Sequence, residues 1–321
     1  MHKNQFKPAW WLPGSHLQTL WPAICRSAIK NLKLERERIE LPDGDFIDLD
    51  WLNKEKKGPL VLILHGIEGS IESHYAKGML LKISQQNWRG VFMHFRGCSG
   101  EPNRLSRGYH SGETGDLNYV VEYLLKRESN LNIAAIGYSL GGNVLLKWLG
   151  ETGERNPLQA AIAISVPFEL HKAAARICKG FSKLYQWYII KCLRSRLVQK
   201  FKLCPPTFDH SLIHKVTTMY DFDDKITAPL HGFSDVKEYY GHSSSRQYLS
   251  NIHVPTLILH AKDDPFMSED IIPEMKELSP QVRLEVTDFG GHVGFVSGKF
   301  PWRPEYWLEE RAPEFLREFL K

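Results

Sequence analysis

Ser139 stands in Gly137-Tyr138-Ser139-Leu140-Gly141, the Gly-x-Ser-x-Gly spacing of a nucleophilic serine held in a tight turn. The pattern fixes only three residues, and a chain of this length contains ~0.1 such matches by chance. Its surroundings carry more weight. Ile133-Ala134-Ala135-Ile136 precedes it as a short strand, and Gly142-Asn143-Val144-Leu145-Leu146-Lys147-Trp148-Leu149 follows as a helix. A strand, a sharp turn and a helix in that order form a nucleophile elbow. Side chains flanking so tight a turn would clash, which accounts for Gly137 and Gly141. Ser139 then projects from the tip. The helix N-terminus behind it offers free N–H groups and a partial positive charge to a developing anion. The competing reading is a glycine-rich connection without chemistry, which the context disfavours.

A serine hydroxyl needs a base, and the base needs an orienting carboxylate. In chains with such an elbow the order is Ser, then Asp or Glu, then His. Asp263-Asp264-Pro265 follows an apolar strand downstream, and His292 lies in Gly290-Gly291-His292-Val293-Gly294 after the last expected strand. Parallel strands bring their C-terminal ends to one rim, so both segments belong beside the elbow. Of the 14 histidines, His292 alone combines chain order, strand-end position and glycine neighbours. Asp263 and Asp264 are adjacent, so their side chains point differently. Asp264 is the choice for the orienting acid. The other is then a turn or capping carboxylate, since Asp before Pro favours turn initiation.

An anionic tetrahedral intermediate needs two or more preset donors. The amide of Leu140, next after the serine, is one. The second belongs to the loop His65-Gly66-Ile67-Glu68-Gly69-Ser70, with the Ile67 amide favoured and Gly66 next. Gly66 and Gly69 let the backbone bend close to a substrate. Without a real elbow, His65-Gly66 would be an ordinary strand-end turn.

The elements that must position these residues alternate along the chain. A hairpin is expected over 34–53, with Pro42-Asp43-Gly44-Asp45 as its turn. Leu60–Leu64, Val91–Phe95, Ile133–Ile136, Ala160–Ile164 and Thr256–His260 are short apolar runs, as in strands buried on both faces. A further strand is expected near 282–287. Helices are expected near 74–87, 114–128, 140–150, 268–279 and 304–320, with residues 1–30 as an irregular arm. Such alternation implies a mainly parallel sheet flanked by helices, an α/β class fold. The alternation breaks at 168–250, whose first half looks helical and whose remainder looks irregular. That stretch is expected to be an insertion within a single domain spanning 1–321.

Composition sets outer limits. The chain has 321 residues, 42% apolar and 24% charged, enough for a sizeable core. A net charge of +4 does not by itself argue for a nucleic-acid partner. The five cysteines show no C-x-x-C spacing and are expected to be buried small hydrophobes, as suits a reducing compartment. The first residues lack a secretory pattern, and no run reaches the ~18 apolar residues of a bilayer span. The expected location is therefore cytoplasmic.

Several segments together resemble the YheT-like family of α/β-hydrolases, which includes eukaryotic abhydrolase-domain esterases and lipases. They are Phe6-x-Pro8 with Trp11-Leu12, His16-x-Gln18-Thr19, His65 to Ser70, Arg96-Gly97-Cys98-Ser99-Gly100, Tyr109 to Thr114 with Asp116, Gly137 to Asn143, Asp263-Asp264-Pro265 and Gly290-Gly291-His292. They cover nearly the whole chain outside 168–250. The resemblance implies an α/β-hydrolase fold with a helical lid insertion. It also implies Ser139, Asp264 and His292 as charge-relay residues, and hydrolysis of short to medium acyl esters or acyl lipids. Some relatives carry a His-x-x-x-x-Asp acyltransferase motif, and no histidine here has Asp at that spacing.

Between His171 and Lys202 there are nine Lys or Arg residues and no acidic residue, interleaved with apolar residues at helical spacing. Such a lid suits an acyl lipid or an acidic substrate and is compatible with peripheral membrane contact. The plainer reading packs its apolar face on the domain and leaves its lysines in water. The leading expectation is a serine esterase or lipase acting through an acyl-enzyme, with no metal and no cofactor. An acyltransferase delivering the acyl group to an alcohol is the alternative, and a non-catalytic binding protein on the same scaffold is a third. A dehalogenase is disfavoured because its elbow carries a carboxylate nucleophile. Oligomeric state is left open.

Overall fold

In the computed structural model, residues 6–27, 29, 32–206 and 209–321 are described. The first five residues, part of the stretch read for a secretory pattern, lie outside them.

The central sheet has eight strands in the order β1-β2-β4-β3-β5-β6-β7-β8. These are β1 (Glu35–Glu40), β2 (Phe46–Leu52), β3 (Leu60–Leu64), β4 (Arg89–Met93), β5 (Ile133–Tyr138), β6 (Ala160–Ile164), β7 (Thr256–Ala261) and β8 (Val282–Thr287). From β4 to β8 every pairing is parallel, while β1 and β2 pair antiparallel at one edge. Side chains alternate between the faces with period two. Leu60, Leu62 and Leu64 of β3 enter the core on one face, and Val61 and Ile63 enter the core on the other. The first face is covered by α3 (Gly115–Arg127) and α4 (Leu140–Thr152). The second is covered by α2 (Ala76–Gln85) and the C-terminal helix Trp307–Leu316. The arrangement expected from the alternation is the one observed, a mainly parallel sheet with helices on both faces.

Four elements differ from expectation. Residues 268–279 do not form one helix but two short 3-10 turns, Glu269–Ile271 and Met275–Glu277. Pro273 forces the preceding Ile272 into extended backbone, which ends the first turn. The irregular N-terminal arm contains a helix, α1 (Ser15–Cys25), despite Pro22 inside it. Arg303–Tyr306 does not begin the last helix; it pairs with Val296–Phe300 as the two-stranded ribbon β9–β10. The later half of the insertion is also more ordered than expected, with helical turns at Met219–Phe222 and Asp223–Thr227 and a helix at Val236–Ser243.

The stretch between β6 and β7 begins with α5 (Leu170–Ile177) and α6 (Ser182–Leu203). It has its own apolar cluster, including Ile177, Tyr185, Ile189, Leu193 and Leu197, and the rim residues Ile67 and Phe266 pack against that cluster. Asn143, fully buried on α4, fastens its far end. The Asn143 amide nitrogen donates to the Ser111 and Ser243 carbonyls, both at 2.7 Å, and its carbonyl accepts from the Ser245 N–H.

Charge is buried at the antiparallel edge. Arg36 and Arg38 of β1 each grip the aspartate opposite them on β2, Asp50 and Asp48, through paired 2.8–2.9 Å bonds. Arg96, only 3% exposed, grips Asp116 bidentately and also reaches Asp43 and Asp45. Burial alone would raise the Asp45 carboxyl. Hydrogen bonds from Asn103, from the Arg104 and Phe46 amides and from Arg96 outweigh it and hold it below its ordinary value.

Removing one partner of a buried charge cluster strands the others. Arg96→Met should therefore cost about 3–5 kcal/mol, read as a lower urea midpoint. The depressed carboxyls of Asp45, Asp48 and Asp50 give stability that is present above the ordinary carboxylate range. It is lost as pH falls through their folded values. The acid-unfolding limb of Arg96→Met should accordingly move to higher pH than that of the parent.

Candidate active site

The turn from β5 into α4 leaves no room for side chains on either flank. A Cβ on Gly137 would lie 2.5 Å from the Gly141 carbonyl oxygen, and one on Gly141 would lie 2.5 Å from that of His65. Ser139 between them is held at φ 50°, ψ −117°, a left-handed region that non-glycine residues rarely occupy. Its N–H donates to the Ile164 carbonyl of β6 at 2.8 Å, which pins the turn to the sheet. Its hydroxyl is left at the sheet rim in front of the α4 N-terminus.

His292 meets that hydroxyl. Its Nε2 lies 3.0 Å from Ser139 Oγ, and its Nδ1 lies 2.8 Å from Asp264 Oδ2. A carboxylate accepts only, so Nδ1 carries the proton and Nε2 presents a lone pair to the serine O–H. The Asp264 carboxylate is 1% exposed, and its second oxygen accepts from the Phe266 N–H at 2.8 Å. The Phe266 ring stacks on the imidazole, with centroids 4.1 Å apart and planes within 7°. The structure thus brings Ser139, His292 and Asp264 into one hydrogen-bonded row. Asp263 turns elsewhere and accepts the Gly291 N–H at 2.9 Å, fastening the loop that carries His292.

The two expected anion donors lie on one cavity. Leu140 is the first residue of α4, so its amide has no acceptor within the helix. In the facing loop, the Gly66 N–H is taken by the Tyr75 hydroxyl, the Glu68 N–H by the Tyr109 hydroxyl and the Gly69 N–H by the Gly66 carbonyl. Ile67 is left, among the described residues, as the amide of this group without a partner. Ile67, Leu140 and Ser139 line the same cavity, of about 90 Å³, whose roof includes Ala173, Ala174 and Ile177 of α5 and Ile189 of α6.

Two sets of residues that hold this geometry were given no role by sequence reasoning. His65 is fully buried, and burial pushes its imidazole down to about 3, so it is neutral. Its Nε2 accepts the Phe95 N–H, and its Nδ1 therefore donates to the Gly66 carbonyl at 2.7 Å. That bond fixes the bend before Ile67. On α1, the Thr19 hydroxyl accepts the His292 N–H at 2.9 Å, and Gln18 bonds both the N–H and the carbonyl of Val296. Gly291 and Gly294 have no side chain because α1 lies against them: a Cβ on Gly294 would sit 2.1 Å from the Gln18 carbonyl oxygen. His16 also reaches Tyr185 on α6 at 3.1 Å, linking the arm to the insertion. The one available cue was the polar triplet His16-x-Gln18-Thr19 within an aromatic segment.

Among the described residues, no group of three or more His, Cys, Asp or Glu side chains is placed to hold a metal ion. No helix is long and apolar enough to cross a membrane, among those residues. The exposed side of α6 and the turn before it carry Phe181, Leu184, Trp187 and Tyr188 beside Lys183 and Lys191.

A sequence profile for the alpha/beta hydrolase fold matches residues 59–299. The chain is 42% identical to the Escherichia coli (strain K12) protein named "Putative esterase YheT", over 99% of this chain and 94% of that one. It is 28% identical to phospholipase ABHD3 of Bos taurus, over 98% of this chain and 79% of that one. A solved Pyrococcus furiosus esterase, PF2001, superposes with a TM-score of 0.61 at 20% identity, covering 92% of this chain and 97% of that one.

Because a Cβ at 141 would press on backbone rather than on a pliable side chain, Gly141→Ala should cost about 3 kcal/mol or more, at or beyond the usual overpacking range. Thermal unfolding of the purified variant checks this, and an unchanged midpoint would contradict the packing described.

Proposed function

Since the chain belongs to the alpha/beta hydrolase family, with a family profile matching residues 59–299 and a relative 42% identical over nearly its full length, we propose that it is a serine hydrolase of carboxylic esters. The observation that carries the proposal is the row Ser139–His292–Asp264, with successive separations of 3.0 and 2.8 Å, on a cavity that Leu140 and Ile67 also line.

Each step then uses a group already in place. His292 Nε2 takes the Ser139 proton as Oγ bonds to the ester carbonyl carbon. The carbonyl oxygen becomes anionic and is held by the Leu140 and Ile67 N–H groups, which need no reorganisation. Asp264 keeps the imidazole in the right tautomer and stabilises its charged form. The carbon–oxygen bond to the alcohol breaks, and the alcohol leaves with the proton from His292. Water repeats the sequence on the acyl-enzyme, releasing the acid and restoring Ser139.

The insertion at 168–250 acts as a cap in this reading, since α5 and α6 supply the apolar roof over Ser139. The roofed cavity, about 90 Å³, adjoins a second of about 70 Å³. Together they are near the ~150 Å³ that accommodates one benzene ring. That favours short to medium acyl groups in this conformation, from simple esters or from lipids.

A fluorophosphonate probe should label the protein, and Ser139→Ala should abolish labelling. No labelling of the parent, under conditions that label a control esterase, would sink the catalytic reading. On p-nitrophenyl esters of graded length, turnover should peak at short to medium chains. Thr19→Val removes the acceptor of the His292 N–H while keeping volume, so kcat should drop about tenfold with KM little changed, as for a misplaced base. A parent-like kcat would show that α1 does not position His292.

A further inference from the structure

A second cavity adjoins the one over Ser139, and the two share Ile67, Ser111, Leu140, Met219 and Asp223 as walls. Its remaining lining includes three cations, Arg96, Arg196 and Lys200. Arg96 is neutralised by Asp43, Asp45 and Asp116, and Arg196 is paired with Glu68. Lys200 differs. It is only 3% exposed, the one buried residue among the nine basic positions of 171–202. Its ammonium reaches the Asn103 side-chain oxygen at 2.7 Å and the Arg107 carbonyl at 2.5 Å, both neutral acceptors. No carboxylate lies within 4 Å of it among the described residues. Of its three donors, two are used.

We infer that this second cavity is a subsite for an anionic group, a carboxylate or a phosphate, carried by the ester substrate, with the Lys200 ammonium as its counter-charge. The inference rests on the ester-hydrolase reading, because it places the anion on the molecule whose ester meets Ser139. A buried cation without a counter-charge is costly unless something compensates it. A purely structural clamp between α6 and the loop at 103–107 would need only the two neutral hydrogen bonds. It gives no reason for a positive charge without a counter-charge, or for the third, unused donor. An anion entering beside Ser139 supplies the missing partner and uses the spare N–H in a charge-assisted bond.

The surrounding charges are consistent with this. Burial pushes the Lys200 ammonium down to about 7; Arg196 adds to that push, Asp45 and Cys204 oppose it, and Arg96 again lowers it. His231 faces the same cavity, and burial holds its imidazole below the ordinary value. Asp223 is the one carboxylate in the lining. Burial pushes it up to about 6, and its oxygens accept from the Thr227 and Tyr240 hydroxyls.

The test compares esters that differ only in a distal charge. One arm sets p-nitrophenyl hydrogen adipate against p-nitrophenyl hexanoate, and hydrogen suberate against octanoate. The other sets a short-chain monoacylglycerol phosphate against the same monoacylglycerol. In at least one arm the parent should favour the anionic ester about tenfold or more in kcat/KM, the size of one charge-assisted hydrogen bond. The responding arm identifies carboxylate or phosphate as the group accepted. Lys200→Gln should bring the ratio toward one, and Lys200→Arg should preserve it. The ratio in the parent should also fall as pH rises through about 7, because Lys200 is charged below that value and neutral above it. This last measurement decides the matter even where a variant does not fold. Turnover of neutral esters with no preference in either arm would overturn the subsite and leave the hydrolase reading intact. Absence of turnover on every ester would count against the hydrolase reading instead.

Discussion

The backbone of Ser139 is compressed into a conformation that costs about 1–3 kcal/mol, and the rest of the site is arranged around that compression. The turn persists because β5 is flanked on both sides, by β3 and β6, and its neighbours are backbone atoms that cannot yield. Gly141 touches the carbonyls of Leu64 and His65, so the elbow and the end of β3 are in direct contact. One constraint therefore fixes two things. It lifts the serine hydroxyl above the sheet rim, and it sets the distance between the elbow and the loop that carries Ile67.

Much of the remaining order comes from polar groups that touch no substrate. His65 works as a neutral connector between the end of β4 and the bend at Gly66, which burial ensures by keeping it unprotonated. Thr19, Gln18 and Asp263 together hold the loop from Gly291 to Val296. That loop includes Val293 and Phe295 at positive φ, so it would not keep its shape unaided. The N-terminal helix and the His292 loop are therefore one structural unit, although nearly the whole chain separates them. The matched motifs find a common explanation here. Arg96 from one pairs with Asp116 from a second, and Asn143 from the elbow motif bonds Ser111 of that second motif.

The insertion shows how one helix serves two environments. The inner side of α6 contributes Tyr185, Ile189, Leu193 and Leu197 to an apolar cluster and Lys200 to a cavity wall. Its outer side leaves Leu184, Trp187 and Tyr188 in solvent with Lys183 and Lys191. The basic run therefore divides into solvated lysines, arginines and Lys172 engaged with neighbouring groups, and one buried ammonium. Periodicity showed that the run was amphipathic. It did not show that Lys200 points inward, because a helical wheel assigns charge to water by default.

Sequence alone determined what local physics controls. Short apolar runs named five of the sheet strands, glycine spacing marked the elbow, and chain order singled out Ser139, His292 and the Asp263-Asp264 pair. Where tertiary packing overrides local preference, the reading failed. Pro22 did not prevent α1, because that helix packs on the His292 loop. Residues 268–279 failed to become a helix for a local reason instead: Pro273 breaks the backbone pattern, which hydrophobic spacing alone does not register. Adjacent aspartates, adjacent amides and a row of lysines look alike in one dimension. Sequence reasoning preferred Asp264 and the Ile67 amide, and the folded chain supplies the contacts behind each preference: Asp264 on the imidazole and Asp263 on a loop amide, with the Gly66 N–H engaged by Tyr75. Those distinctions are set by hydrogen-bond partners that lie far apart in sequence, so they exist only once the chain has brought them together.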